Sequence, residues 1–210
     1  MDKIQKGFLD RAEGAVIDVV RDDGINKHIQ CIIKEGRMIF EIITWGDTLC
    51  INSIIGSYTF RCDLDMIEKF RKDNMPEVNP RSWVFIVSSA PVIDNSACLP
   101  RELDHEKLEA ALKKQVYSSG HTEEEKNKIW GEVETQILER ATDLNDTRNL
   151  IAYFDSPFGF KFEENSEVYD VSISSYSYEY LWCLYAIQFA ITKYDDAKAQ
   201  IAHGLEKMYH

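Results

Sequence analysis

The chain has 210 residues, 44% of them hydrophobic and 11% aromatic, with a formal net charge of −12. These values exclude a disordered or low-complexity chain, and the length allows one sizeable core with a helical appendage. The charge disfavours direct binding of DNA or RNA, whose phosphates such a surface repels. Residues 121–179 hold 14 acids and 5 bases, against 19 and 16 in residues 1–120. The excess therefore sits in one segment, which either attracts a basic partner or serves only as a solvated face.

In chain order, Asp2 and Gln5 have the spacing of a helix capping box. Ile4, Phe8, Leu9, Ala12, Ala15, Val16, Val19 and Val20 then recur at three and four residues, which predicts one apolar helical stripe ending at Asp22-Asp23-Gly24. The segment 1–10 reads as the start of this helix and not as a secretory leader. From His28 the period becomes that of strands. His28–Lys34 and Met38–Thr44 join at Glu35-Gly36, and Leu49–Asn52 and Gly56–Arg61 make a second pair. Together they predict an antiparallel meander of four or five strands, with Thr44-Trp45-Gly46-Asp47 as the turn between the pairs. Asp63 is the expected cap of a short helix through Phe70. Residues 73–80 read as loop, Ser82–Val87 fits either strand or helix, and Pro91–Pro100 is a polar connection.

Asp104 begins a helix to about Tyr117. Thr122 with Glu125 is a capping box for a second, which runs to about Ala141; the pair, 104–141, reads as a helical hairpin beside an otherwise single domain. Asp146 is the expected start of a further short helix. Phe158, Phe160 and Phe162 alternate as in a one-sided strand. The sequence then reaches Tyr176–Tyr194, apolar or aromatic at every position from Tyr180 to Ile191 except Gln188. A helix apolar all round is one that other elements surround. Its 12-residue apolar run is short of the roughly 20 residues that cross a bilayer, so no membrane contact is expected and this is the central core helix of an α+β fold. Asp195–Met208 continues it as a more polar helix.

Chemistry-bearing motifs are few. The histidines at 28, 105, 121, 203 and 210 form no His-x-x-x-His spacing, and neither pair of nearby ligands reaches the three or four that zinc requires. No phosphate-binding glycine loop and no nucleophile elbow occurs. Nothing calls for a cofactor or metal, and no catalytic residue stands out. The cysteines at 31, 50, 62, 98 and 183 lack Cys-x-x-Cys spacing and are expected as reduced structural thiols of a cytoplasmic protein.

Three stretches carry a resemblance. Ile43-Thr44-Trp45-Gly46, Val78-Asn79-Pro80-Arg81-Ser82-Trp83 and the aromatic run Tyr176–Asp195 resemble segments of a protein family of tailed bacteriophages and prophages, in order and spacing over residues 28–195. The family's turn has a proline before the glycine, absent here between Trp45 and Gly46, and Asn52-Ser-Ile-Ile-Gly56 replaces its Gly-Asp-Met-Gly loop. The resemblance implies a setting, a phage gene acting in the bacterial host cytoplasm, and no activity.

On this basis the expected function is a phage accessory protein that binds and inhibits a bacterial host protein, such as a defence component. It would do so through an acidic surface that imitates nucleic acid to a partner with a basic nucleic-acid-binding face. Glu123, Glu124, Glu125, Glu132, Glu134, Glu163, Glu164 and Glu167 are the candidate contacts. A small-molecule or nucleotide binder, or an enzyme, is the alternative, with Trp45, Tyr178, Trp182 and Tyr185 lining an aromatic pocket; core packing is the plainer reading of the helical aromatics. A structural or assembly factor of the virion is a third. Homo-oligomers are compatible with all three.

Overall fold

The structure, a computed structural model, describes residues 2–33, 36–62, 65–93, 96–97, 99–156, 158–163 and 171–208. It is an α+β protein whose chain divides into two compact units, residues 1–100 with 177–210, and residues 101–176.

In the first unit, α1 (Lys3–Arg11) starts where the Asp2 carboxylate accepts the Gln5 N–H at 2.7 Å. Six strands follow in an antiparallel meander whose spatial order is the chain order: β1 (Val16–Asp23), β2 (Asn26–Ile32), β3 (Met38–Trp45), β4 (Thr48–Ser53), β5 (Ser57–Arg61) and β6 (Val87–Ser89). Between the last two lie α2 (Met66–Asn74), α3 (Pro80–Trp83) and a 3₁₀ turn at Val84–Ile86. The ambiguous segment 82–87 is thus helix first and strand last. β7 (Val92–Ile93) and β8 (Ser96–Ala97) make a small hairpin in the stretch read as a connection.

One sheet face is the core. Ile29, Cys31, Phe40, Ile42, Leu49, Ile51, Tyr58 and Phe60 are all fully buried on it. Against them lies α7 (Tyr178–Met208), whose Trp182 meets Phe40 edge-on at 6.1 Å between ring centroids and whose Tyr180 meets Tyr58 at 5.7 Å. Phe8 of α1 wedges between sheet and helix, 5.2 Å from the Trp182 ring. Tyr180, Cys183, Leu184, Ile187 and Ile191 are fully buried, while Leu181 is half-buried. Among the described residues no helix is long and apolar enough to cross a membrane.

Two expectations for this unit are corrected. The first helix stops at Arg11, and Val16–Asp23 is an edge strand instead of its continuation. Gly14 takes a left-handed backbone, φ +69°, which a helix interior does not accommodate. Beyond it four of the next six residues are β-branched, and three of them, Val16, Ile17 and Val19, pair along β2. The cap of α2 is Asp65, which accepts the N–H groups of Ile67 and Glu68; Asp63 lies outside the described residues.

The second unit contains β9 (Arg101–Leu103), α4 (His105–Ser118), α5 (Glu123–Val133), α6 (Leu144–Ala152) and β10 (Ser174–Tyr176), which pairs with β9. Asp104 caps α4, and the Thr122–Glu125 capping box of α5 is complete. A π turn at Glu134–Leu138 extends α5. Leu108, Leu112, Val116, Ile129, Val133, Ile137 and Phe162 form the core of this unit. Asp143 caps α6, and Asp146 sits inside its first turn. The phenylalanine alternation is not a strand. Gly159 has φ +69°, so the chain turns there; Phe160 and Phe162 both enter the core while Phe158 stays at the surface.

Candidate functional site

The glutamates after His121 fall on α5 and its π extension. At about 100° per residue, Glu123 and Glu134 flank one side of the stripe made by Ile129, Trp130 and Val133, Glu125 and Glu132 flank the other, and Glu124 points opposite it. They do not form one uniform face, and several are engaged locally. The Glu125 carboxylate accepts the Thr122 N–H at 2.9 Å, which holds its carboxyl below the usual range. Glu134 accepts the indole N–H of Trp130 at 2.7 Å, and Glu123 pairs with Lys126 at 2.9 Å.

One ridge nevertheless emerges, at four-residue spacing: Glu124, Lys128, Glu132 and Gln136. Lys128 Nζ reaches Glu124 at 2.8 Å, and Gln136 Nε2 donates to Glu132 at 2.8 Å. The π turn then sets the far end. Its Gln136 also donates to the backbone oxygen of Asp155 at 3.2 Å and accepts the Asp155 N–H at 3.4 Å. The ridge therefore runs on to Asp155, two residues after Tyr153, whose side chain is 85% exposed at the end of α6. Tyr153, Gln136 and Asp155 were invisible as a site in the sequence. The 124/128/132/136 series was legible, but the π turn that joins it to residue 155 has no sequence signature. Glu163 lines a separate concavity of about 540 Å³ with Lys114, His121 and Lys161. Glu164 and Glu167 lie outside the described residues.

The aromatic-pocket expectation is corrected. Trp182 is fully buried on the core side of the sheet between Phe8 and Phe40. Tyr185 is part-buried beside α1, its hydroxyl donating to the Asp2 carboxylate; burial and that carboxylate push the phenol well above its usual range. Tyr178 is exposed at the helix start. The three share helical spacing but not a cavity, because the core takes the middle one. Trp45 stands apart, on the opposite sheet face at the β3–β4 turn, where Gly46 supplies φ +54°. There it lines a concavity of about 550 Å³ with Val20, Arg21, Lys27, His28 and Ile43.

That sheet face carries a polar row. His28 Nε2 lies 2.8 Å from Glu41 Oε2, and Asn52 Nδ2 donates to Glu41 Oε1 at 3.2 Å. The histidine first, then Asn52 and Gln30, hold the Glu41 carboxyl below its usual range against partial burial. Burial pushes the Cys31 and Cys183 thiols up to about 11 and about 12, so neither supplies a thiolate nucleophile. Among the described residues no three His, Cys, Asp or Glu side chains are placed to hold a metal ion. No family model, no curated protein and no solved structure matches the chain.

Proposed function

We propose that the protein is a phage-encoded accessory protein that binds and inhibits a bacterial host protein, using the ridge from Glu124 to Asp155 with Tyr153 as its anchor. One observation carries this reading: an almost fully exposed tyrosine at the end of a ridge carrying three acids, on a unit whose residues 101–176 hold 17 acids and 9 bases. Protein interfaces place aromatic anchors inside polar rims, and complementary charge speeds the encounter and screens partners. The partner surface is accordingly basic, of the kind that otherwise holds nucleic acid, and inhibition is by occlusion. The phage setting comes from the sequence resemblance.

The test is capture from bacterial lysate on the immobilised protein, comparing wild type with Tyr153→Ala and with Glu124→Lys/Glu132→Lys. A bound host protein should be retained by wild type and weakened about tenfold or more by either variant, as loss of an interface anchor or reversal of rim charge implies. Its retention should fall as salt rises. A captured protein indifferent to both variants and to salt removes the ridge from the mechanism.

A further inference from the structure

The concavity at Trp45 owes its composition to one extra residue. β1 pairs with β2 from Val16↔Ile32 to Val19↔Ile29, and then resumes at Arg21↔His28, with Val20 inserted as a bulge. Successive strand residues point to opposite faces, so a one-residue slip exchanges the faces. Without the bulge Arg21 would stand opposite Lys27, on the side of α7. With it, Arg21 joins His28 and Ile43 in one row across β1, β2 and β3 on the other face. Trp45 lies two residues beyond Ile43 and so shares that face. On this face the lining's basic side chains are Arg21 and His28, with no carboxylate beside them in the lining; Lys27 borders the concavity but turns its amine to Asp22 and the Tyr194 ring of α7, within a chain of net charge −12.

The three basic side chains differ in availability. Lys27 is tied to Asp22 at 2.8 Å with little side-chain exposure. His28 commits Nε2 to Glu41, so Nδ1 is the ring nitrogen outside that pair. Arg21 pairs with Asp23 at 2.9 Å, both side chains mostly in solvent, and such a surface pair is weak enough to exchange for a ligand anion. Val20 and Ile43 add apolar wall, and the volume is within the usual range for small-molecule sites.

We propose that this concavity binds a small ligand carrying a flat ring and a phosphate, the chemistry of a mononucleotide, with the ring on Trp45 and the phosphate against Arg21 and His28. The same chemistry occurs at the end of a single-stranded nucleic acid. The net charge repels a polyanion far more than a mononucleotide, so the free nucleotide is the ligand.

Trp45 reports on its own site. It is 48% exposed, whereas Trp83 and Trp182 are at 0% and Trp130 at 8%, so a collisional quencher reaches it first. Acrylamide quenching is measured with AMP, UMP, adenosine, inorganic phosphate and a ten-residue oligothymidylate, each up to millimolar concentration. AMP or UMP should protect Trp45 from acrylamide, with adenosine or phosphate alone weaker. Arg21→Gln, on an exposed edge position, should weaken the effect about tenfold, as loss of a charge-assisted hydrogen bond implies. Calorimetry on Trp45→Phe should show the same nucleotide bound more weakly. No protection by either nucleotide overturns the proposal. So does protection unchanged in Arg21→Gln, or protection by the oligonucleotide but neither mononucleotide.

Discussion

Asp22 is the residue that fastens the β1–β2 hairpin to the long helix. Its carboxylate accepts from Lys27 at 2.8 Å and from the Tyr194 hydroxyl at 2.8 Å, and lies 3.0 Å from Lys198. These partners, Lys27 foremost, hold its carboxyl far below the usual range. A depressed folded value means the unfolded chain binds the proton more readily. The contribution is therefore complete above the unfolded value, about 3.9, and is lost as pH falls towards the folded one. Asp22→Asn should lower the melting temperature at pH 7, and the gap to wild type should narrow progressively below about pH 4. Melts across that range check it; a gap constant with pH would mean that the charge is not what binds the hairpin.

At the scale of elements, the strand most at risk is β1. It is the long edge of the sheet, with Val16, Val19 and Val20 exposed. An edge of this kind is a template for pairing between chains, and bulges and charges are the usual protection. Here the Val20 bulge and Asp18, Arg21, Asp22 and Asp23 supply both. Asp18→Val would leave five consecutive β-branched residues, and this variant should sediment as larger, concentration-dependent species than wild type at equal concentration. Unchanged sedimentation would show that the bulge alone protects the edge. The same bulge explains why β1 reads as helix in the sequence. By inserting one residue it moves the inward positions to Ile17, Val19 and Asp22, which mixes the two-residue period with a three-residue step. Gly14 and the density of β-branched residues were the legible signals against a helix. By contrast β2 to β5 alternate over most of their length, with one slip where β3 passes Ile39, and their boundaries fall within two residues of expectation.

For the whole molecule, α7 decides stability in the unit it organises. It faces the sheet, α1 and α2 at once, which is why its apolar stripe is so wide. Ile187→Ala, at a fully buried position, should cost about 2–5 kcal/mol in chemical denaturation. Leu181→Ala, half-buried, should cost clearly less, since the removed atoms gain less from burial. Equal costs would mean that the helix is packed evenly all round, as its composition alone suggests. At this scale charge is also uneven: the acids concentrate in residues 101–176, while the concavity at Trp45, lined by Arg21 and His28 and by no carboxylate, belongs to the other unit. The sites proposed for an anion and for a basic partner therefore belong to different units of one acidic protein.

Local chemistry alone determined the helix caps at Asp2, Asp104 and Thr122, the strand alternation from residue 28 to 61, and the core helix. Each depends on groups within a few residues of one another or on a simple period. Only the tertiary structure decided which sheet face Arg21 occupies, that Trp182 belongs to the core and Trp45 to the surface, and that a π turn brings Gln136 to Asp155. Those outcomes depend on pairing between distant segments, where a single inserted residue or a single turn of altered pitch redirects every side chain beyond it.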